Sequence, residues 1–244
     1  MNRLEVKEVC KSFDGKPVLD RVSLTLNQGE LVSLLGISGS GKTTLFNVIS
    51  GLTLPDSGQV LLDGQDITGS PGHMGYMLQK DLLLPFRTVE DNVALPLILK
   101  GLGKKQARQE ALAYLPQFGL EGTQKLYPHA LSGGMRQRAA LLRTYLFSGE
   151  AILLDEPFSA LDALTRRSIH RWYLDTMQKL KLSTVLITHD IDEAILLSDR
   201  IYLLSGQPGR VTEEIVIDEK KPRNEGFSLS PAFLEYKKYI LSRL

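Results

Sequence analysis

The sequence predicts an α/β fold built on a parallel sheet, with an antiparallel strand region near its start and a helical segment inserted midway. Three observations predict it. Short apolar runs (ELVSLLG, AILLD, STVLIT) read as strands covered on both faces, and they alternate with helix-patterned segments. GISGSGKTT, Gly36–Thr44, satisfies the pattern G-x-x-x-x-G-K-[ST] between one such strand and a helix. From Thr88 to about Phe147 the periodicity is helical, which marks a subdomain.

The elements follow in order. RLEVKEVCKSF and PVLDRVSLTLN alternate apolar and polar residues and read as half-buried antiparallel strands joined at Asp14-Gly15. ELVSLLG is the first buried strand, and a helix follows from about Lys42. SGQVLLDG returns to strand character, and GHMGYML is a buried strand ending at Gln79. VEDNVALPLILK, KQARQEALAYLPQFG and GGMRQRAALLRTYLF are helices separated by Gly and Pro punctuation. Then come strand AILLD, a helix over Ala163–Lys181, strand TVLIT, a helix over Ile191–Leu197 and strand RIYLL. The tail is polar at DEKKPRNEG, and Ser230-Pro231 reads as the cap and first turn of a last helix.

Composition narrows the partners. The 244 residues are 43% hydrophobic, enough for a sizeable core, and 29 basic against 28 acidic residues give no argument for a nucleic-acid partner. The clusters Lys104-Lys105 and Lys220-Lys221 read as solvated faces. The single cysteine, Cys10, excludes an internal disulfide, fits a reducing compartment and reads as small core filler. No N-terminal stretch reads as a signal peptide, and no apolar run approaches the roughly 20 residues of a spanning helix. The expectation is a soluble chain whose membrane part, if it has one, is another polypeptide.

The chemistry concentrates in a few places. The Gly36–Thr44 glycines let backbone N–H groups face phosphate oxygens, Lys42 can reach β- and γ-phosphates, and Thr43 offers Mg²⁺ a hydroxyl. A dinucleotide pattern is not completed, because Thr44 stands where it needs glycine. A strand buried to its end delivers Asp155 to the sheet's carboxyl edge, where it can hold Mg²⁺ directly or through water. Glu156, one step on, suits a base that orients water; alone, such an acidic pair would as well be a helix cap. Gln79 and His189 each end a buried strand at the same edge; either by itself would be structural, and both together point to function. Phe13, at a turn, can stack on a base or simply pack. LSGGMRQR, Leu131–Arg138, adds a second anion-ready helix start far from the first.

In this order these elements resemble the ATPase subunit of ABC transporters over nearly the whole chain. The resemblance rests on Phe13, GISGSGKTT, the glutamine of MLQKD, LSGGMRQR, AILLDEP, SALD and the histidine of ITHD. It implies a P-loop NTPase cassette: a RecA-like parallel-sheet core, an antiparallel β subdomain and a helical subdomain at about 87–147, the cassette spanning 1–220 and a short tail 221–244. It implies that Gly36, Ile37, Ser38, Gly39, Ser40, Gly41, Lys42, Thr43 and Thr44 hold ATP, that Thr43, Gln79 and Asp155 surround Mg²⁺, and that Gln79 and His189 assist Glu156. It also implies head-to-tail dimers in which Ser132 and Gly134 cap the ATP held by the other copy's Lys42 and Thr43. The family often has Tyr at the stacking position; Phe13 still offers a face. LQKDLLLPFRTVEDNVALPL, Leu78–Leu97, looks like the segment that meets the membrane permease in importers of nitrate, sulfonates, taurine and a thiamine pyrimidine precursor, many of which have Trp in place of Phe86. That implies a cytoplasmic subunit on the inner face of the membrane, served indirectly by a substrate-binding protein. The other reading is a soluble ABC-type ATPase acting on DNA or ribosomes; a single cassette without sustained heptads disfavours it.

Overall fold

The computed structural model describes residues 2–148, 151–221, 223 and 225–244. Pro222 and Asn224 of the expected polar tail lie outside the described residues. The chain divides into two units, one of 1–73 with 181–244 and one of 74–180.

In the first unit β1 (Asn2–Phe13) and β2 (Lys16–Asn27) form the expected antiparallel hairpin. Its turn residues Asp14 and Gly15 both have positive φ, 50° and 74°, as a two-residue primed turn requires. β4 (Ser57–Leu62) pairs with β1 and β5 (Gln65–Asp66) with β4, giving the order β2-β1-β4-β5. β1 carries a bulge at Glu8, φ 47°, against Gly58, which has no Cβ to meet the Lys7 and Glu8 carbonyls. Leu4, Val6 and Val9 face inward on either side of that slip, so Cys10 falls out of phase and is half-buried. It is therefore not core filler; its Sγ accepts the Arg21 N–H at 3.2 Å.

β3 (Leu31–Leu35) is buried throughout, as its unbroken apolar run predicts, and runs parallel to β8 (Ser183–Thr188) and β9 (Arg200–Ser205). β10 (Arg210–Val216), a strand not foreseen from sequence, lies antiparallel on β9. α1 (Lys42–Ile49) follows β3 and α6 (Ile191–Leu197) follows β8, its first turn capped by Asp190. The tail is part of this core: α7 (Glu225–Ser228) and α8 (Pro231–Leu241) bring Phe227, Phe233 and Ile240 against Ile195, Ile201 and Ile215. Ser230 caps α8 with Pro231 in its first turn, as expected. Lys104 and Lys105 are solvated, but Lys221 is not: its ammonium lies 2.8 Å from Asp199, and burial, partly opposed by that carboxylate, holds its pKa below the usual lysine value.

In the second unit β6 (Gly75–Met77) pairs in parallel with β7 (Ala151–Asp155). β6 stops two residues short of Gln79, so that glutamine sits on the following loop. α2 (Val89–Leu99), α3 (Lys104–Leu112), α4 (Gly133–Ser148) and α5 (Ala163–Leu180) supply the helices. The helix expected to run to Gly119 ends at Leu112. Pro116 disfavours helical backbone at the residue before it, and the bonds at Ala113, Tyr114 and Leu115 tighten to i→i+3. The turns that follow seat Phe118 against Tyr145 and Trp172.

Candidate functional site

The first group of site residues is a loop between β3 and α1. Gly39 and Gly41 have φ of 83° and 92°, backbone that favours glycine. A Cβ on Gly36 would run into the Leu204 carbonyl, and one on Gly41 would lie 2.8 Å from Leu19 and 3.1 Å from the Val18 carbonyl. The base of the loop is thus pressed on by neighbouring backbone, while Ile37, Ser38 and Gly39 stand exposed. Lys42 is 8% exposed, and its Nζ donates to the carbonyls of Gly36 and Ile37, both at 2.8 Å. Ser40 is 1% exposed and its hydroxyl makes no hydrogen bond. α1 begins without a side-chain cap and without acidic residues in its first turn, so its dipole end favours an anion. An orphaned Ser40 hydroxyl, a held ammonium and a helix start without a side-chain cap fit a phosphate chain. Thr43 is exposed and Thr44 half-buried at the same helix start.

Phe13 closes β1 with 47% of its surface exposed, and Lys11 Nζ lies 5.2 Å from its ring centroid. His189 is exposed one residue past β8, and Asp190 N–H bonds back to Thr188 Oγ1 at 3.0 Å.

The second group lies in the other unit. Asp155 ends β7, nearly buried, beside Tyr76. Burial first, then the Asp155 charge, push the Tyr76 phenol far above its ordinary pKa, so it stays protonated next to the carboxylate. Glu156 follows with φ 46°, a left-handed conformation that costs a non-glycine residue about 1 kcal/mol or more. The turn holding it is closed by Ser159, whose Oγ donates to the Glu156 carbonyl at 2.9 Å. Gln79 Nε2 donates to Glu156 Oε2 at 3.1 Å, so two residues 77 apart in sequence meet directly. In this unit Gln79 offers an amide oxygen and Asp155 a carboxylate, and in the first unit Thr43 offers a hydroxyl, each the kind of oxygen that suits Mg²⁺. Among the described residues no cluster of three His, Cys, Asp or Glu side chains could hold a metal unaided.

Ser132 is exposed at the start of α4, and its Oγ accepts the Met135 N–H at 3.3 Å. A Cβ on Gly133 would sit 3.3 Å from Leu161, and one on Gly134 3.3 Å from Thr165. The glycine pair therefore lets the start of α5 pack closely on this helix end, a role sequence reasoning did not assign.

Sequence reasoning also missed the supports of the segment after Gln79. Asn92, fully buried in α2, accepts the Leu84 N–H at 2.7 Å and donates to the carbonyls of Leu84, Arg87 and Thr88 at 3.0–3.1 Å. Arg143 donates to the carbonyls of Asp81 and Leu82 at 2.6 and 2.8 Å. A polar residue on the buried side of an apolar helix was a readable signal for Asn92; nothing in the pattern marked Arg143. So braced, the loop exposes Leu78, Leu82 and Phe86, the last to 72%.

Comparison with known proteins adds the following. A sequence family described as ABC transporter matches residues 19–159. The chain is 50% identical over 206 residues to the formylaminopyrimidine import ATP-binding protein ThiZ of Halalkalibacterium halodurans, covering 84% of this chain and 80% of that one. It is 38% identical to the nitrate import ATP-binding protein NrtD of Synechocystis sp., with 99% and 94% covered. It is 39% identical to the taurine import ATP-binding protein TauB of Escherichia coli O157:H7, with 99% and 96% covered. Among solved structures it resembles the ATP-binding cassette MJ0796, a dimer in a post-hydrolysis state bound to ADP and phosphate, at TM-score 0.75 and 31% identity over 89% of this chain and 100% of that one. It also resembles cbiO1 of Clostridium perfringens, part of the transporter complex cbiONQ, at TM-score 0.82 and 24% identity over 98% and 99%. The last likeness bears on fold alone. Among the described residues no helix is long and apolar enough to cross a membrane.

Proposed function

Because the chain belongs to the ABC transporter family as an ATP-binding ATPase subunit, we propose that it powers a small-molecule importer as a head-to-tail homodimer on the cytoplasmic face of the membrane. The observation that carries the reading is the presence of two anion-ready helix starts in one chain: the Lys42 loop with its orphaned Ser40 hydroxyl, and the exposed Ser132 start of α4. In this reading the loop Gly36–Thr44 grips the phosphates, Phe13 carries the base, and the other copy's Ser132 and Gly134 close over the γ-phosphate. Thr43, Asp155 and Gln79 would hold Mg²⁺, which when bound neutralises phosphate charge. Glu156 accepts a proton from the attacking water, Gln79 keeps the Glu156 carboxylate in place through its amide, and His189 faces the departing phosphate. Losing the γ-phosphate removes what joins the copies, so each cycle is a ligand-driven switch.

The exposed apolar segment Leu78–Phe86 supports a permease as the membrane partner, since exposed clusters of this kind mark docking sites. The names of the relatives support import of a nitrate, taurine or formylaminopyrimidine type of solute; a separate binding protein that delivers it to the permease completes the reading.

The test is complementation between defective copies. One chain carries Lys42→Ala and the other Ser132→Arg. Each homodimer has two broken sites, while the mixture contains a dimer with one intact site. Mixing should restore Mg²⁺-dependent retention of ATP in the presence of a phosphate-like inhibitor. Retention no better than in the separate mutants would show that Ser132 serves its own chain, and the head-to-tail reading would fall.

A further inference from the structure

We propose that Lys11 and Asp56 are positioning residues for nucleotide binding, holding the Phe13 ring so that its open face receives the base of a nucleoside triphosphate. The inference rests on the reading of Phe13 as the stacking side chain. On a strand, residues 11 and 13 share a face. Lys11 Nζ lies 5.2 Å from the Phe13 centroid and 3.0 Å from Asp56 Oδ1. The Lys11 side chain is only 16% exposed, which is not the state of a free surface lysine. The other Asp56 oxygen accepts the Ser12 N–H at 2.6 Å, and the Asp56 N–H donates to the Cys10 carbonyl at 2.8 Å. Asp56 thus ties down the three residues that precede Phe13.

The strand ladder does not do this by itself. The β1–β2 register slips between Val9 and Lys11 and again between Lys11 and Ser12. The ladder is regular again only at Ser12–Pro17 and Phe13–Lys16, and a slipped stretch is locally more twisted. The Asp56 bonds to Cys10, Lys11 and Ser12 hold β1 across that stretch. The Lys11 hydrogen bond, opposed by slight burial and helped by the Ser12 N–H, holds the Asp56 carboxyl below the usual aspartate range, so Asp56 is charged throughout the neutral range. The ammonium also draws the ring's electron density toward its own side, which favours an electron-rich base on the other.

The test measures binding of ATP and of inorganic tripolyphosphate, which has no base, to the full chain by calorimetry. Phe13→Ala should weaken ATP binding at least about fivefold and leave tripolyphosphate unchanged. Lys11→Met and Asp56→Asn should each weaken ATP about two- to fivefold, again sparing tripolyphosphate. Lys11→Arg should keep parent affinity, and Lys11→Met placed on Phe13→Ala should add nothing. If Phe13→Ala acts as stated but Lys11→Met and Asp56→Asn leave ATP binding intact, the positioning role is refuted while Phe13 stands. Weakening of both ligands alike would also refute it, showing a phosphate contact or general damage. If Phe13→Ala itself changes nothing, the reading of Phe13 fails first and the positioning role with it.

Discussion

Glu156→Gln is aimed at one chemical property, the carboxylate's capacity to take a proton. The Gln79 amide donates to Glu156 Oε2 at 3.1 Å, and a glutamine oxygen at that place accepts the same bond. The turn is closed through the backbone carbonyl, which Ser159 holds whatever the side chain. Glutamine bears the left-handed φ of 46° at the same cost as glutamate. Folding stability should therefore shift by no more than about 0.5 kcal/mol. What disappears is a group able to take a proton from water. General base catalysis contributes about 10²–10⁴-fold, or about 2.7–5.4 kcal/mol of barrier at about 1.36 kcal/mol per decade. Phosphate release at saturating ATP and Mg²⁺ should fall by that factor while ATP affinity stays at the parent value. An ATP-bound dimer should accumulate on a sizing column, since the bridging phosphate is no longer removed. Turnover within about threefold of the parent would refute the assignment, as no other change is available to compensate a lost base of this size.

Three further outcomes are expected. Lys42→Ala removes the ammonium above the Gly36 and Ile37 carbonyls and should weaken ATP binding about tenfold or more, read by fluorescence titration; an unchanged affinity would contradict its role. Phe86→Asp changes a residue that is mostly in water, so basal ATPase and thermal stability should be kept while co-purification with the permease is lost; retention of the permease would show that the loop does not dock. Asn92→Ala leaves the Leu84 N–H and nearby carbonyls unpaired and should cost about 1–3 kcal/mol in denaturant unfolding, whereas a shift under about 0.5 kcal/mol would mean that the loop repairs itself.

What could be read from the sequence depended on how local its cause was. β3, β7 and β8 are legible because a strand buried on both faces must be apolar along its whole length. The α8 start is legible because Ser230 and Pro231 satisfy cap chemistry among near neighbours. The end of the helix at Leu112 is hard to read because Ala, Tyr and Leu favour helix locally up to Gly119, and the restraint from Pro116 acts on the residue before it. Cys10 was misplaced because one extra residue at Glu8 inverts the alternation beyond it, and a bulge leaves no compositional mark when its residue is not glycine. Lys221 carries no local mark of its burial because its partner, Asp199, is distant in sequence. At the site, strand ends located Asp155 and Glu156 closely and Gln79 within two residues, but the direct bond between Gln79 and Glu156 spans 77 positions and has no local signature. The glycines of LSGGMRQR point locally to an anion; their close packing on Leu161 and Thr165 depends on a helix that begins some thirty positions later.

Much of what presses on the base of the Gly36–Thr44 loop is main chain. The Leu204 carbonyl stands against Gly36, the Val18 carbonyl against Gly41, and the Ser40 carbonyl against Gly209. Side chains can rotate away from an arriving ligand, but the Leu204 carbonyl belongs to β9 and the Val18 carbonyl to β2, the latter accepting the Gly209 N–H while Asp20 N–H bonds to Gly209. The base of the loop is thus a cast socket rather than one moulded around its guest, and the entropy of ordering that base is spent during folding and not at binding. Capture of ATP by such a socket can run at the pace of encounter, leaving the slow step of each cycle to later closure and release. The same rigidity narrows the evolutionary options: at Gly36 and Gly209 no neighbouring substitution can make room for a larger residue, because the obstacle is a peptide group that every sequence shares.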